Sequence, residues 1–276
     1  MAMHGELRFS DKLRKSQIKP KFTYIRFMKV VALLPARLGS TRFPEKMLAD
    51  LGGKPLIVRT WEAVQATHLF AEVLVVTDHE RILQAVEAHG GSAVMSSPEH
   101  QSGSDRIAEI ALKLDADVLV NVQGDEPFVQ RESLAALLRC FEDAHVRVAS
   151  LMCRVGDYAD FHNPNVVKVV CNQAGDALYF SRATVPFPRD LALPAQGLLP
   201  EEAVPAGVFQ HIGVYGYRKE ALLAFTAMPP CALELTEKLE QLRLLYHGIP
   251  IRMAEVAEKS IGIDTLADLE RARRLL

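Results

Sequence analysis

From Lys29 onward, short β-branched runs alternate with stretches of helical pattern, and this alternation permits few architectures. Successive strands joined by helical crossovers build a largely parallel sheet wrapped by helices, so the chain is expected to be α/β. Strands are predicted at Val30 to Pro35, Val73 to Thr77, Ala93 to Met95, Val118 to Val122 and Val146 to Cys153. The helices between them begin at visible punctuation: Pro55 after Gly52 and Gly53, Ser102 or Ser104 before Ile107, and Arg131 after the Pro127 turn. Between about Asp157 and Gly216 the pattern changes. Strands at Val166 to Cys171, Ala177 to Ser181 and Gln210 to Tyr217 flank a Pro-rich loop from Pro186 to Pro205, so residues 157–216 read as an insertion on the main sheet. A helix at Leu233 to Tyr246, a strand at Ile249 to Val256 and a last helix from Thr265 follow.

Residues 1–28 carry Arg8, Lys12, Arg14, Lys15, Lys19, Lys21 and Arg26 against only Glu6 and Asp11, with no apolar period. A disordered extension, or an upstream start preceding Met28, is expected there, with the folded domain spanning 29–276. The formal charge of −2 supplies no global basic field, which disfavours nucleic-acid binding and requires any affinity for phosphate to come from local clusters. No apolar stretch approaches the roughly 20 residues that span a bilayer, and no signal-peptide core is visible, so a cytoplasmic protein is expected. Cys140, Cys153, Cys171 and Cys231 form no C-x-x-C pair and read as reduced structural thiols.

Three clusters carry chemistry. In "VVALLPARLGSTRFPEKML", Val30 to Leu48, a strand ending at Pro35 places Ala36 to Lys46 at the carboxyl edge of the sheet, where open α/β folds bind ligands. Arg37, Arg42 and Lys46 there suit phosphate oxygens, although arginines in a solvated loop also simply pair with surface acids. The loop is neither G-x-G-x-x-G nor G-x-x-x-x-G-K-[ST], which removes the main support for a nicotinamide oxidoreductase or a P-loop enzyme. In "NVQGDEP", Asn121 to Pro127, a strand ends in two carboxylates. Asp125 is a candidate magnesium ligand, because that ion takes one or two carboxylates and completes its shell with substrate phosphate and water. Ordinary turn acids look the same. In "HQSGSDR", His100 to Arg106, hydroxyls and N–H groups at a helix start suit a base edge or phosphate, or a plain helix cap.

Together these stretches resemble the CMP-Kdo synthetase family (3-deoxy-manno-octulosonate cytidylyltransferases). The family pattern resembles "PARLGSTRFPEKML", "HQSGSDRIAE", "NVQGDEP", "NPNVVKVV", "ALYFSRATVPF", "HIGVYGYR", "EKLEQLR" and "GIDTLADLER", in this order, from Lys29 onward. Departures are small: Met47 and Leu266 stand where prolines are usual, and Ser104 and Asp105 where threonine and glutamate are usual. The resemblance implies a Rossmann-like nucleotide-diphosphosugar transferase fold and the reaction of CTP with Kdo to give CMP-Kdo and pyrophosphate, for lipopolysaccharide biosynthesis, with Mg2+.

The resemblance also implies residue roles. Arg37, Arg42 and Lys46 match triphosphate residues, Ser40, His100, Ser102, Gly103 and Gln123 line the nucleotide cleft, and Asp125 faces a second magnesium ligand, Asp264. Arg37, Lys46, Asp125 and Asp264 are the expected catalytic set. On the sugar side Arg182 matches the carboxylate-binding residue, while His211, Tyr215, Glu240 and Gln241 offer contacts to hydroxyls. Sheet-surface charge, core-edge packing and solvated helix positions are the plainer readings of those five. Asp264, immediately before a helical run in which Thr265 and Asp268 have capping-box spacing, has a plain reading as a helix start. A homodimer through the inserted strands is expected, with apolar faces of "VVKVVC" and "ALYF" buried against the partner. A related acid sugar, 8-amino-8-deoxy-Kdo or sialic acid, would need the same phosphate loop and aspartate. A non-catalytic sugar-nucleotide binding protein would need no metal aspartate.

Overall fold

The computed structural model describes residues 28–39, 43–189, 207–257 and 261–276, and among these a nine-stranded mixed sheet organises the chain. The strands are β1 (Val30–Ala36), β2 (Glu72–Thr77), β3 (Ser92–Met95), β4 (Val118–Asn121), β5 (Val148–Arg154), β6 (Lys168–Cys171), β7 (Ala177–Ser181), β8 (Phe209–Arg218) and β9 (Ile251–Glu255). The order is β3-β2-β1-β4-β8-β5-β9, with β6 joined to β7 and to the start of β8. Pairings β2–β3, β1–β2, β1–β4 and β5–β9 are parallel, whereas β8 runs antiparallel to both β4 and β5. The parallel strands are apolar because both faces are covered: every residue of β1 is buried.

Helices α1 (Leu56–Gln65), α2 (Glu80–Glu87) and α4 (Arg131–Arg139) cover one face through Ile57, Val58, Ile82, Val86, Leu134 and Leu137. Helices α3 (Gly103–Ala111), α6 (Lys219–Ala227) and α8 (Gln241–Tyr246) cover the other through Ile107, Ile110, Leu222, Phe225, Leu242 and Leu244. Each such side chain, fully buried, contributes about 1.5–3 kcal/mol of transfer free energy. Short α5 (Tyr158–His162) precedes β6, α7 (Ala232–Glu237) precedes α8, and α9 (Leu266–Arg273) packs Leu269 and Ala272 against Leu51 and Leu56. None of the described helices is long and apolar enough to cross a membrane.

Two expectations are corrected. The segment 157–216 divides: β6 and β7 form an appended hairpin, but β8 is an interior strand of the main sheet. Along it Ile212 and Val214 enter the core, while His211 and Tyr215 on the opposite face line a cavity. The helix expected over Leu233 to Tyr246 is broken into α7 and α8, because Lys238 adopts a left-handed conformation (φ 55°). The carbonyls orphaned at the break are taken by Arg182, whose Nε donates to Glu237 O at 2.7 Å and whose Nη2 donates to Lys238 O at 3.4 Å. The expected extension, apart from Met28, and most of the Pro-rich loop lie outside the described residues.

Candidate active site

From β1 the chain steps outward through β2 to β3 and then returns to β4 on the other side of β1. The connections leaving the carboxyl ends of β1 and β4 therefore diverge, and a crevice opens between them. A cleft of about 390 Å³ occupies this position. Pro35, Arg37 and Gly39 form one wall, His100 to Gly103 at the start of α3 a second, and Gln123 and Asp125 a third. Arg37 is exposed at the rim, whereas Ser40 and Arg42 lie outside the described residues.

Lys46 is turned into this cleft by its predecessor. Glu45 adopts a left-handed conformation (φ 54°) and accepts from Arg81 Nη2 at 2.9 Å, which fixes the loop to α2. Lys46 is left 7% exposed, its ammonium donating to Asp125 Oδ2 and, at 3.2 Å, to Asp264 Oδ1. The Asp125 turn is equally constrained. A Cβ at Gly124 would stand 2.9 Å from Ile57 Cδ1 and 3.0 Å from Pro35 O, so only glycine fits, and Thr60 Oγ1 donates to its carbonyl at 2.8 Å. Ile263 N donates to Asp125 O at 2.9 Å, delivering Asp264 to the same place. The cap of α9 is Thr265, whose hydroxyl accepts from Asp268 N at 3.2 Å, so Asp264 is not the capping residue. Two carboxylates converging on one cation match the oxygen donors of a hard divalent ion. Among the described residues they are not joined by a third His, Cys, Asp or Glu.

Ser102 combines both of its sequence readings. Its hydroxyl accepts from Asp105 N at 3.1 Å as the cap of α3, and the residue also lines the cleft. His100 Nε2 lies 2.8 Å from Glu109 Oε2. The Ser97 N–H and His100 hold the Glu109 carboxyl below the ordinary value. Arg106, to which no role was given from sequence, is 3% exposed and donates to Asp78 Oδ2 at 2.8 Å and Ser96 Oγ at 2.7 Å, fastening α3 to the end of β2.

A second cavity of about 300 Å³ adjoins the first, and Gly103, Gln123 and Glu240 line both. His211, Tyr215, Glu240 and Gln241 line it, together with Asn121, Gly213 and Lys238, to which no role was assigned from sequence. Ser104 Oγ donates to Glu240 Oε2 at 3.0 Å, while burial of the Glu240 carboxyl raises its pKa. The His211 ring packs edge-on against Phe180 at 5.1 Å, and its Nε2 meets Ser150 Oγ at 3.0 Å. Burial pushes His211 down to about 3, so the imidazole is neutral at physiological pH. Arg182 does not line this cavity: Pro164 O, at 3.0 Å, joins the Glu237 and Lys238 carbonyls in occupying its guanidinium. The motif that carries it, "ALYFSR", gave no sign that its charge would brace a helix break 55 residues later.

The family model described as cytidylyltransferase matches residues 31–259. The 3-deoxy-manno-octulosonate cytidylyltransferase of Flavobacterium johnsoniae is 49% identical over 252 residues, which cover 90% of this chain and 99% of that one. The protein of the same name from Geobacter metallireducens is 46% identical, over 88% of this chain and 96% of its own. A solved structure of a CMP:2-keto-3-deoxy-manno-octonic acid synthetase complexed with CTP superposes with a TM-score of 0.82 at 41% identity, covering 90% of this chain and 98% of the other. With relatives this similar along nearly their whole length, and with both cavities in place on the shared sheet, the chain belongs to the 3-deoxy-manno-octulosonate cytidylyltransferase family.

Proposed function

We propose that this protein joins CTP and Kdo to give CMP-Kdo and pyrophosphate, in the cytoplasm and in support of lipopolysaccharide biosynthesis. The observation that carries the reading is the pair of adjoining cavities, one lined by cationic side chains and helix-start N–H groups, the other by hydroxyl, amide and imidazole groups, sharing Gly103, Gln123 and Glu240. The shared wall is where an α-phosphate and an attacking sugar hydroxyl would meet. There the anomeric oxygen bonds to the α-phosphorus, the bond from that phosphorus to the bridging oxygen breaks, and the hydroxyl proton is released.

This chain's residues supply orientation and charge. Arg37 and Lys46 neutralise phosphate oxygens, which would otherwise repel an anionic acid sugar. The start of α3 offers N–H groups and the Ser102 hydroxyl to the nucleotide. Glu240, with its raised pKa, sits between the two substrates with its carboxylate turned to Ser104. Asp125 and Asp264 would hold Mg2+, and the fit rests on their convergence on the Lys46 ammonium. When bound, the ion would polarise phosphate and lower the pKa of the attacking hydroxyl.

A homodimer is part of the same reading. What supports it is the appended β6–β7 hairpin, where Leu178 is 61% exposed on β7. The test is pyrophosphate release from CTP with Kdo, 8-amino-8-deoxy-Kdo or sialic acid, each with and without magnesium. Magnesium-dependent release fastest with Kdo is expected. No release with any acid sugar would overturn the reading, and preference for another sugar would reassign the substrate.

A further inference from the structure

Asn121 closes β4 after Val118, Leu119 and Val120, all buried, and is itself only 2% exposed. Its Oδ1 has no hydrogen-bond partner among the described residues. Such an atom costs about 1–3 kcal/mol, so an amide at the end of an apolar strand calls for a reason. The cavity supplies one: Asn121 forms part of the floor of the second cavity, beside Tyr215, its registered neighbour on β8. Gly213, also on that floor, has nothing within 4 Å of where a Cβ would stand, so the space remains open.

Across the same cavity Gln241, 6% exposed, presents an Nε2 that also lacks a partner among the described residues. One orphan is an acceptor and the other a donor. A hydroxyl both gives and takes a hydrogen bond, and a polyhydroxylated ligand brings several of them. Asn121 does not line the nucleotide cleft, so its missing partner belongs to the second substrate.

Resting on the proposed function, we propose that Asn121 is a specificity-determining residue of the sugar cavity, whose Oδ1 accepts a hydrogen bond from one hydroxyl of the acid sugar, with Gln241 as the complementary donor. A site built to pair a hydroxyl discriminates strongly against an analogue that lacks it, because the protein's own buried group is then stranded.

The test is Asn121→Leu, which preserves bulk and removes the stranded acceptor. Its melting temperature is expected to equal or exceed that of the wild type. Its KM for the acid sugar should rise on the order of 10- to 100-fold while its KM for CTP stays unchanged. In the wild type, one member of a series of single-deoxy sugars should lose a similar factor, and the Leu variant should lose nothing further with that member. A folded Asn121→Leu with an unchanged sugar KM overturns the proposal, as does a lowered melting temperature accompanied by equal changes in both KM values. If the Leu variant does not fold, Asn121→Ser is read by the same measurements. Absence of turnover by the wild type with CTP and any acid sugar overturns the functional reading itself. Normal wild-type turnover with an insensitive variant overturns only the role of Asn121.

Discussion

Lys46 donates to Asp264 at 3.2 Å across 218 residues of sequence, and the same ammonium also closes on Asp125. One cation thus serves two carboxylates. Replacing it by Lys46→Met removes the positive charge that the two carboxylates share, which favours an external divalent ion. We predict that Mn2+ binds this variant several-fold more tightly than the wild type in the absence of nucleotide, measured by electron paramagnetic resonance. Turnover should fall through loss of the proposed charge-assisted contact to phosphate. Weaker Mn2+ binding would mean that the lysine organises the carboxylates rather than shielding them.

Asp264→Asn separates ligation from folding. Thr265 and Asp268 supply the cap of α9, so the substitution should change stability by well under ~1 kcal/mol. Metal ligation predicts an increased magnesium requirement and a loss of turnover on the order of a hundredfold. Normal melting with normal turnover at low magnesium would remove Asp264 from the metal site.

His211 makes stability depend on acidity. Its folded pKa of about 3 lies below the ordinary 6.5, so between these values the unfolded chain takes up a proton that the folded chain refuses. The stability linked to the neutral ring is present above 6.5 and is lost as pH falls through that window. His211→Gln keeps a group able to bond Ser150 and removes the titration, so its stability relative to wild type should improve from pH 7 to pH 4.5 in urea unfolding. A constant difference across that range would contradict burial of a neutral imidazole.

Arg182 and Lys238 predict opposite stability changes at one bend. Arg182→Ala strands the carbonyls of Pro164, Glu237 and Lys238 and should destabilise by about 1–3 kcal/mol. Lys238→Gly relieves a left-handed backbone and should be neutral or stabilising by up to about 1 kcal/mol. Thermal melting of both variants decides. An Arg182→Ala variant with an unchanged melting temperature and a raised sugar KM would return that residue to carboxylate binding.

Much of the fold was legible because buried parallel strands such as "VVALLP" and, up to its final amide, "VLVN" are apolar runs bounded by turn residues. The cleft was legible in part: Asp125 stands in the turn after β4 and Lys46 at the close of the loop after β1, and both line it. Asn121 was not, since one amide after three apolar residues looks like the end of a strand whether or not a ligand lies above it. The break at Lys238 was hidden for a different reason. Neither glycine nor proline marks it, and the side chain that braces it, Arg182, follows the end of β7 far back in the sequence.

The distance in sequence between Lys46 and Asp264 also sets an order of assembly during synthesis. Residues through Asn121 supply the four strands of the parallel half, and Asp125 follows shortly after. A chain emerging from the ribosome thus acquires its nucleotide walls early but receives Asp264 only with its last helix. On the proposed role of Asp264 in holding magnesium, unfinished chains would be unable to engage CTP and magnesium productively, and therefore unable to consume nucleotide before the sugar cavity exists. Proteolysis of ribosome-stalled chains of increasing length measures this: protection by CTP with magnesium is expected only once Asp264 has left the exit tunnel, and protection of a chain stalled at Val256 would contradict it.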